Sequence, residues 1–183
     1  ENTKFNRTIE IITQEFKYAR YTPMLYYKGE DIDQLEIQAQ RNMGRFMKIL
    51  LVKRLESSFY AFKNSVDRFI ASYERFLEEL EKGNVYLSKK HAIKIFELLE
   101  NDEEEKLQKL IDEDKARLFP SEDFSGELKK DLLADLKMLK EVRAMWWNVK
   151  RDPKLIEFLK ILQSNKVLKN NKVIVFSESK ETV

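Results

Sequence analysis

At 183 residues the chain is long enough for one ordinary domain with a packed core. Its 34 basic and 32 acidic residues leave a formal charge of +2, which excludes a global field towards nucleic acid or membrane and confines any such attraction to local patches. With no cysteine, disulfides and thiolate metal sites are excluded, a composition that suits a reducing cytoplasm, and a single histidine, His91, argues against a zinc site or a Ser-His triad.

No apolar run reaches the roughly 20 residues needed to span a bilayer, and no signal-peptide pattern opens the chain, so no membrane partner is expected. Four Gly, three Pro and a charged fraction of 36% favour long exposed helices. Phe5, Ile9, Ile12 and Phe16 recur at helical spacing, which predicts a helix over residues 3–19 ending near "RYTP", where Pro23 disfavours helix at Thr22. A second helix, from residue 31 to about residue 55, carries Leu35, Met43, Phe46, Met47, Leu50 and Leu51. Phe59, Phe62, Val66, Phe69, Tyr73, Phe76 and Leu80 then alternate steps of three and four, a heptad seam.

Gly83 and Asn84 are the pair expected just past a helix C-terminus. Ser88 reads as the N-cap of "KKHAIKIFELLE", and a further helix is expected through "EEEKLQKLIDEDKARLF" to Pro120. The seam returns in Leu128, Leu132, Asp135, Leu139 and Val142, with Leu136 beside it. Two seam-bearing helices separated by short ones predict an antiparallel helical hairpin or bundle. At Asp152 the character changes: Asp152 is an N-cap, Pro153 a first helical residue, and Leu155, Phe158, Leu159 and Leu162 share one face. Residues 173–176 form the one convincing apolar strand run, unaccompanied by a second. The expected fold is mainly α, with a coiled-coil-like hairpin and one C-terminal β-strand. The expected divisions are residues 1–58, 59–151 and 152–183.

"DPKLIEFLKIL…NKVIVFSESKETV" resembles the entrance to the second RecA-like lobe of superfamily 2 helicases of the Swi/Snf type, where a helix leads into the motif IV strand. "ARYTPMLYY" and "LLVKRLESSFYAFKNSVDRF" resemble the stretch preceding it in bacterial Swi/Snf-like helicase proteins. Residues 84–150 match nothing specific, as a variable insertion would not. The resemblance implies a connector between two RecA-like lobes, excised from an ATP-dependent DNA helicase or translocase that uses ATP and Mg. The chain itself holds no GxxxxGK[ST] loop, no Asp-Glu pair in a strand context and no late arginine motif, so it is expected to bind no cofactor and to hydrolyse no ATP by itself.

Two readings meet at "KRLESS". In the structural one, Lys53 and Arg54 snorkel at a helix end and Ser57 or Ser58 caps the next helix. In the functional one, residues 41–68 carry seven basic residues against two acidic ones, and Arg41, Arg45 and Lys48 share one helix face. The candidate nucleic-acid contacts are therefore Arg41, Arg45, Lys48, Lys53, Arg54, Ser57 and Ser58, to which the resemblance adds Ser177. Trp146 and Trp147, beside Arg143, Lys150 and Arg151, either stack on bases or anchor the hairpin. Tyr18, Tyr21, Tyr26 and Tyr27 read as packing around Pro23, and His91 as a helix-surface residue. Residues 97–114, with nine acidic residues against two basic, read as a solvated tip or as a dock for a basic protein partner. The rival to a motor connector is a non-enzymatic coiled-coil adaptor or a stand-alone nucleic-acid-binding module.

Overall fold

The computed structural model describes residues 2–30, 34–87 and 117–176. Helix α1 (Asn2–Glu10) runs into one π-helical turn (Ile11–Glu15), and two short 3-10 turns (Ala19–Tyr21 and Pro23–Tyr26) lead towards α2 (Gln34–Ser57). Helix α3 (Phe59–Glu81) and α4 (Gly126–Trp147) are the central antiparallel pair, with α5 (Pro153–Ser164) and α6 (Lys166–Lys169) following. The architecture is a mainly α helical bundle with a hairpin, as the periodicity predicts.

The seam residues explain the pairing. Phe62, Val66, Phe69, Tyr73 and Phe76 of α3 are buried, as are Leu128, Leu132, Leu139 and Val142 of α4. Each such side chain removed from water contributes about 1.5–3 kcal/mol. One core joins them to Ile11, Ile12 and Phe16 near the N-terminus and to Met47, Leu51 and Leu55 of α2.

Between α2 and α3 only Ser58 is non-helical, and it satisfies the start of α3: its hydroxyl accepts from the backbone N–H of Tyr60 and Ala61, while Asp152 accepts from that of Phe59. At the other end of α3, Gly83 adopts φ +86, the left-handed turn expected of it.

Three expectations are corrected. The first helix stops at Glu15, well before "RYTP", because Tyr18 turns left-handed at φ 60 and the next N–H groups are claimed by α4. Arg117–Pro120, expected to end a helix, is strand β2, antiparallel to β1 (Asn84–Leu87) with Val85 opposite Phe119. Residues 173–176 join no ladder among the described residues; the sheet is the β1–β2 ribbon. A β-prone run without a neighbouring strand to take its N–H and C=O groups has no means of becoming a sheet. The helices expected at 88–116, with His91 and the acidic tip, lie outside the described residues.

Candidate functional site

The spacing on α2 decides what its cations can reach. Gly44, Met47, Leu50, Leu51 and Leu55 are the buried stripe, and Arg54 lies seven residues beyond Met47, two helical turns along the same stripe. Arg54 is accordingly only 5% exposed. This corrects both expectations for it: it neither snorkels at a helix end nor faces a phosphate. Lys48 is turned inward too, its Nζ donating to the Thr13 carbonyl at 2.8 Å and lying 5.8 Å from the Tyr18 ring centre. Ser58 is buried under its capping bonds, and Ser57 is the half-buried last residue of α2. Arg41, Arg45 and Lys53 remain at the surface, and Arg41 and Arg45 have no ion-pair partner among the described residues. Ser177 lies outside the described residues.

Where α4 meets residues 17–26, a polar cluster gathers around the Asp135 that spacing placed in the seam. Asp135 sits in the α4 seam with no exposed surface. One carboxylate oxygen accepts the Lys17 backbone N–H at 2.8 Å; the other accepts the Ala19 N–H at 2.9 Å and the Tyr73 hydroxyl at 3.0 Å. One turn earlier, Asp131 accepts from the Lys17 ammonium at 2.8 Å and the Tyr26 hydroxyl at 2.9 Å. Two carboxylates four residues apart on one helix face thus hold both ends of the segment that carries the left-handed Tyr18.

Burial pushes the Asp135 carboxyl up to about 6, against the opposing pull of the Lys17 and Ala19 N–H groups and the Tyr73 hydroxyl. Burial also raises the Tyr73 hydroxyl well above its ordinary value, helped by the Asp135 charge, and raises Tyr18 and Tyr26. The Lys17 ammonium is held charged first by its hydrogen bond to Asp131. A perturbed carboxyl in a cleft marks a candidate catalytic group. Asp135 has no cleft, and every partner it touches is a fixed protein group, so the cluster is a clamp on residues 16–26.

The aromatic candidates divide. Trp146 is buried, donates its indole N–H to the Thr8 hydroxyl at 2.8 Å, and packs on Phe59 and Phe62; it is the hairpin's anchor. Trp147 is 64% exposed, with the Arg143 guanidinium 5.2 Å from its ring centre. Tyr18 and Tyr21 are core, and Tyr27 packs on Phe119 and Phe124, as the packing reading expects.

Asp135, Asp131 and Thr8 are the residues missed. The signal for Asp135 was its place in the seam, since a carboxylate among leucines needs donors from somewhere. No group of His, Asp and Glu capable of holding a metal gathers among the described residues, and no helix among them is long and apolar enough to cross a membrane. No protein family, curated protein or solved structure matches the chain.

Proposed function

We propose that this chain is a non-catalytic coupling element of a Swi/Snf-like, ATP-driven DNA helicase or translocase. The bundle touches duplex DNA through Arg41, Arg45 and Lys53, and the arm after Asp152 docks onto a RecA-like lobe. One observation carries the reading: the arm presents apolar surface that no described residue covers. Leu155, Phe158 and Leu159 of α5 are exposed, and beyond them Ile174 is 79% and Phe176 91% exposed. Contiguous apolar surface of this kind belongs against a partner, and the run at 173–176 has the composition of a strand buried on both faces.

The test is ATP hydrolysis by the natural protein that carries this chain, with and without duplex DNA, in wild type and in an Arg41→Ala, Arg45→Ala, Lys53→Ala variant. Basal hydrolysis is expected to persist in the variant while DNA stimulation falls. The salt dependence of binding is expected to flatten by about 3 in log K against log salt, near 0.9 for each phosphate contact removed. Absence of nucleotide hydrolysis in the intact folded protein overturns the motor reading. That result favours the adaptor alternative, for which the three- and four-residue spacing of exposed apolar residues on α5 suits a helix seated in a partner's groove.

A further inference from the structure

Where the N-terminal half of α3 passes the C-terminal end of α4, the two helices leave a cleft of about 200 Å³. Its floor is apolar, from Val66, Val142 and the buried Trp146, and two exposed rings, Tyr60 and Trp147, stand among its lining residues. The volume falls below the roughly 300 Å³ at which pockets for whole ligands begin, so the cleft admits one planar ring system.

Its polar groups have a definite character. The Asn64 amide, which offers a donor and an acceptor side by side, has no hydrogen bond among the described residues. Arg143 is fixed by Asp67 at 2.7 Å and lies against Trp147, and Lys63 is fixed by the Val149 carbonyl at 3.0 Å. Lys150 and Arg151 follow in the exposed turn after α4. Residues 60–67 and 142–151 together hold four basic residues and one acidic, and that one is already paired with Arg143.

We propose that this cleft binds an unpaired base of a single-stranded nucleic acid. The base stacks on the exposed indole of Trp147, the Asn64 amide meets its hydrogen-bonding edge, and the flanking cations take the phosphates on either side. Three features favour a nucleobase over an apolar side chain of a protein partner: a free amide in the wall, a positive rim, and an aromatic ring already polarised by a guanidinium on one side. The site is separate from the Arg41 and Arg45 face and does not depend on the duplex contact proposed there.

The experiment titrates the full 183-residue chain with a fluorescein-labelled single-stranded DNA of about 12 nucleotides, a length within the span of one single-strand-binding module. A strand of the same length in which every base is replaced by an abasic site is titrated in parallel. Wild type is expected to prefer the strand with bases and to show quenched tryptophan emission. Trp147→Ala is expected to weaken binding about 5- to 150-fold, the equilibrium equivalent of one base stacked on one ring. Trp147→Phe keeps an aromatic ring, so it retains most of the affinity, and its quenching falls to the part that comes from Trp146 on the cleft floor. Equal binding of the two strands overturns the proposal in favour of bare phosphate attraction. So does wild-type affinity in Trp147→Ala, or quenching in Trp147→Phe as deep as in wild type. Arg41→Ala with Arg45→Ala is expected to leave the preference for bases unchanged, so failure of the duplex contact and failure of this cleft are separately visible.

Discussion

Replacing Asp135 with Asn separates charge from shape at the clamp, and its effect depends on pH. In wild type the carboxyl moves from an ordinary value of 3.8 to about 6 on folding, so the native state binds the proton more tightly than the unfolded chain. The stability linked to that proton is fully present below 3.8 and is lost as pH rises through about 6. A shift of this size corresponds to about 3 kcal/mol in full. Between about pH 7 and pH 5, roughly 1 kcal/mol of it is regained by wild type. Asparagine carries no charge and does not titrate, so it escapes the burial cost, but it has one acceptor oxygen where Asp135 uses two. If that oxygen serves Ala19 and Tyr73, the amide nitrogen abuts the Lys17 N–H, which then lacks an acceptor at a cost of about 1–3 kcal/mol. At neutral pH these two effects nearly cancel. On acidification wild type gains and the variant does not. Urea unfolding followed by circular dichroism at both pH values therefore shows wild type pulling ahead of Asp135→Asn by about 1 kcal/mol on going from about pH 7 to pH 5. A gap that stays constant or closes over that interval refutes the account of Asp135 as a buried, titrating clamp.

Other perturbations follow from single contacts. Thr8→Val leaves the buried Trp146 N–H without an acceptor and is expected to lower unfolding free energy by about 1–3 kcal/mol, read by urea denaturation; unchanged stability contradicts that role. Gly83→Ala meets no neighbour within 4 Å, so its cost is that of the backbone at φ +86 alone, about 1 kcal/mol; a thermal midpoint equal to wild type counts against the strained turn. Asp152→Ala removes the acceptor for the Lys154 and Leu155 N–H groups and for that of Phe59. Limited proteolysis is expected to cut the α5 arm faster while the α3–α4 pair survives, and an unchanged digestion pattern refutes the joint.

What the sequence revealed and what it hid divide by the range of the cause. The α3 and α4 seams are legible because alternating three- and four-residue steps are a local property of the chain, and so are the caps at Ser58, Gly83 and Asp152. The π-helical turn and the left-handed Tyr18 are not, because the carboxylate that claims the Lys17 and Ala19 N–H groups lies more than a hundred residues away. The β1–β2 ribbon is four residues a side, too short for alternation to show against a helical background. Residues 173–176 show the opposite failure: strong strand composition is a preference, and with no neighbouring strand among the described residues it yields exposed irregular chain. Arg54 is legible by position, since seven residues from Met47 place it in the buried stripe, whereas its charge alone would place it at the surface.

The single carboxylate of Asp152 stands at the foot of two helices. One oxygen receives the first N–H of α3 and the other receives the opening N–H groups of α5. Such a joint behaves as a rigid bracket, because swinging the arm by more than a bond length's play strips a charged acceptor from a helix start on one side or the other. Tension applied to α5 is thus delivered at the base of α3, which lies along α4 and the Asp135 clamp. A change in the angle of α5 would therefore act first on the start of α3, through this one side chain.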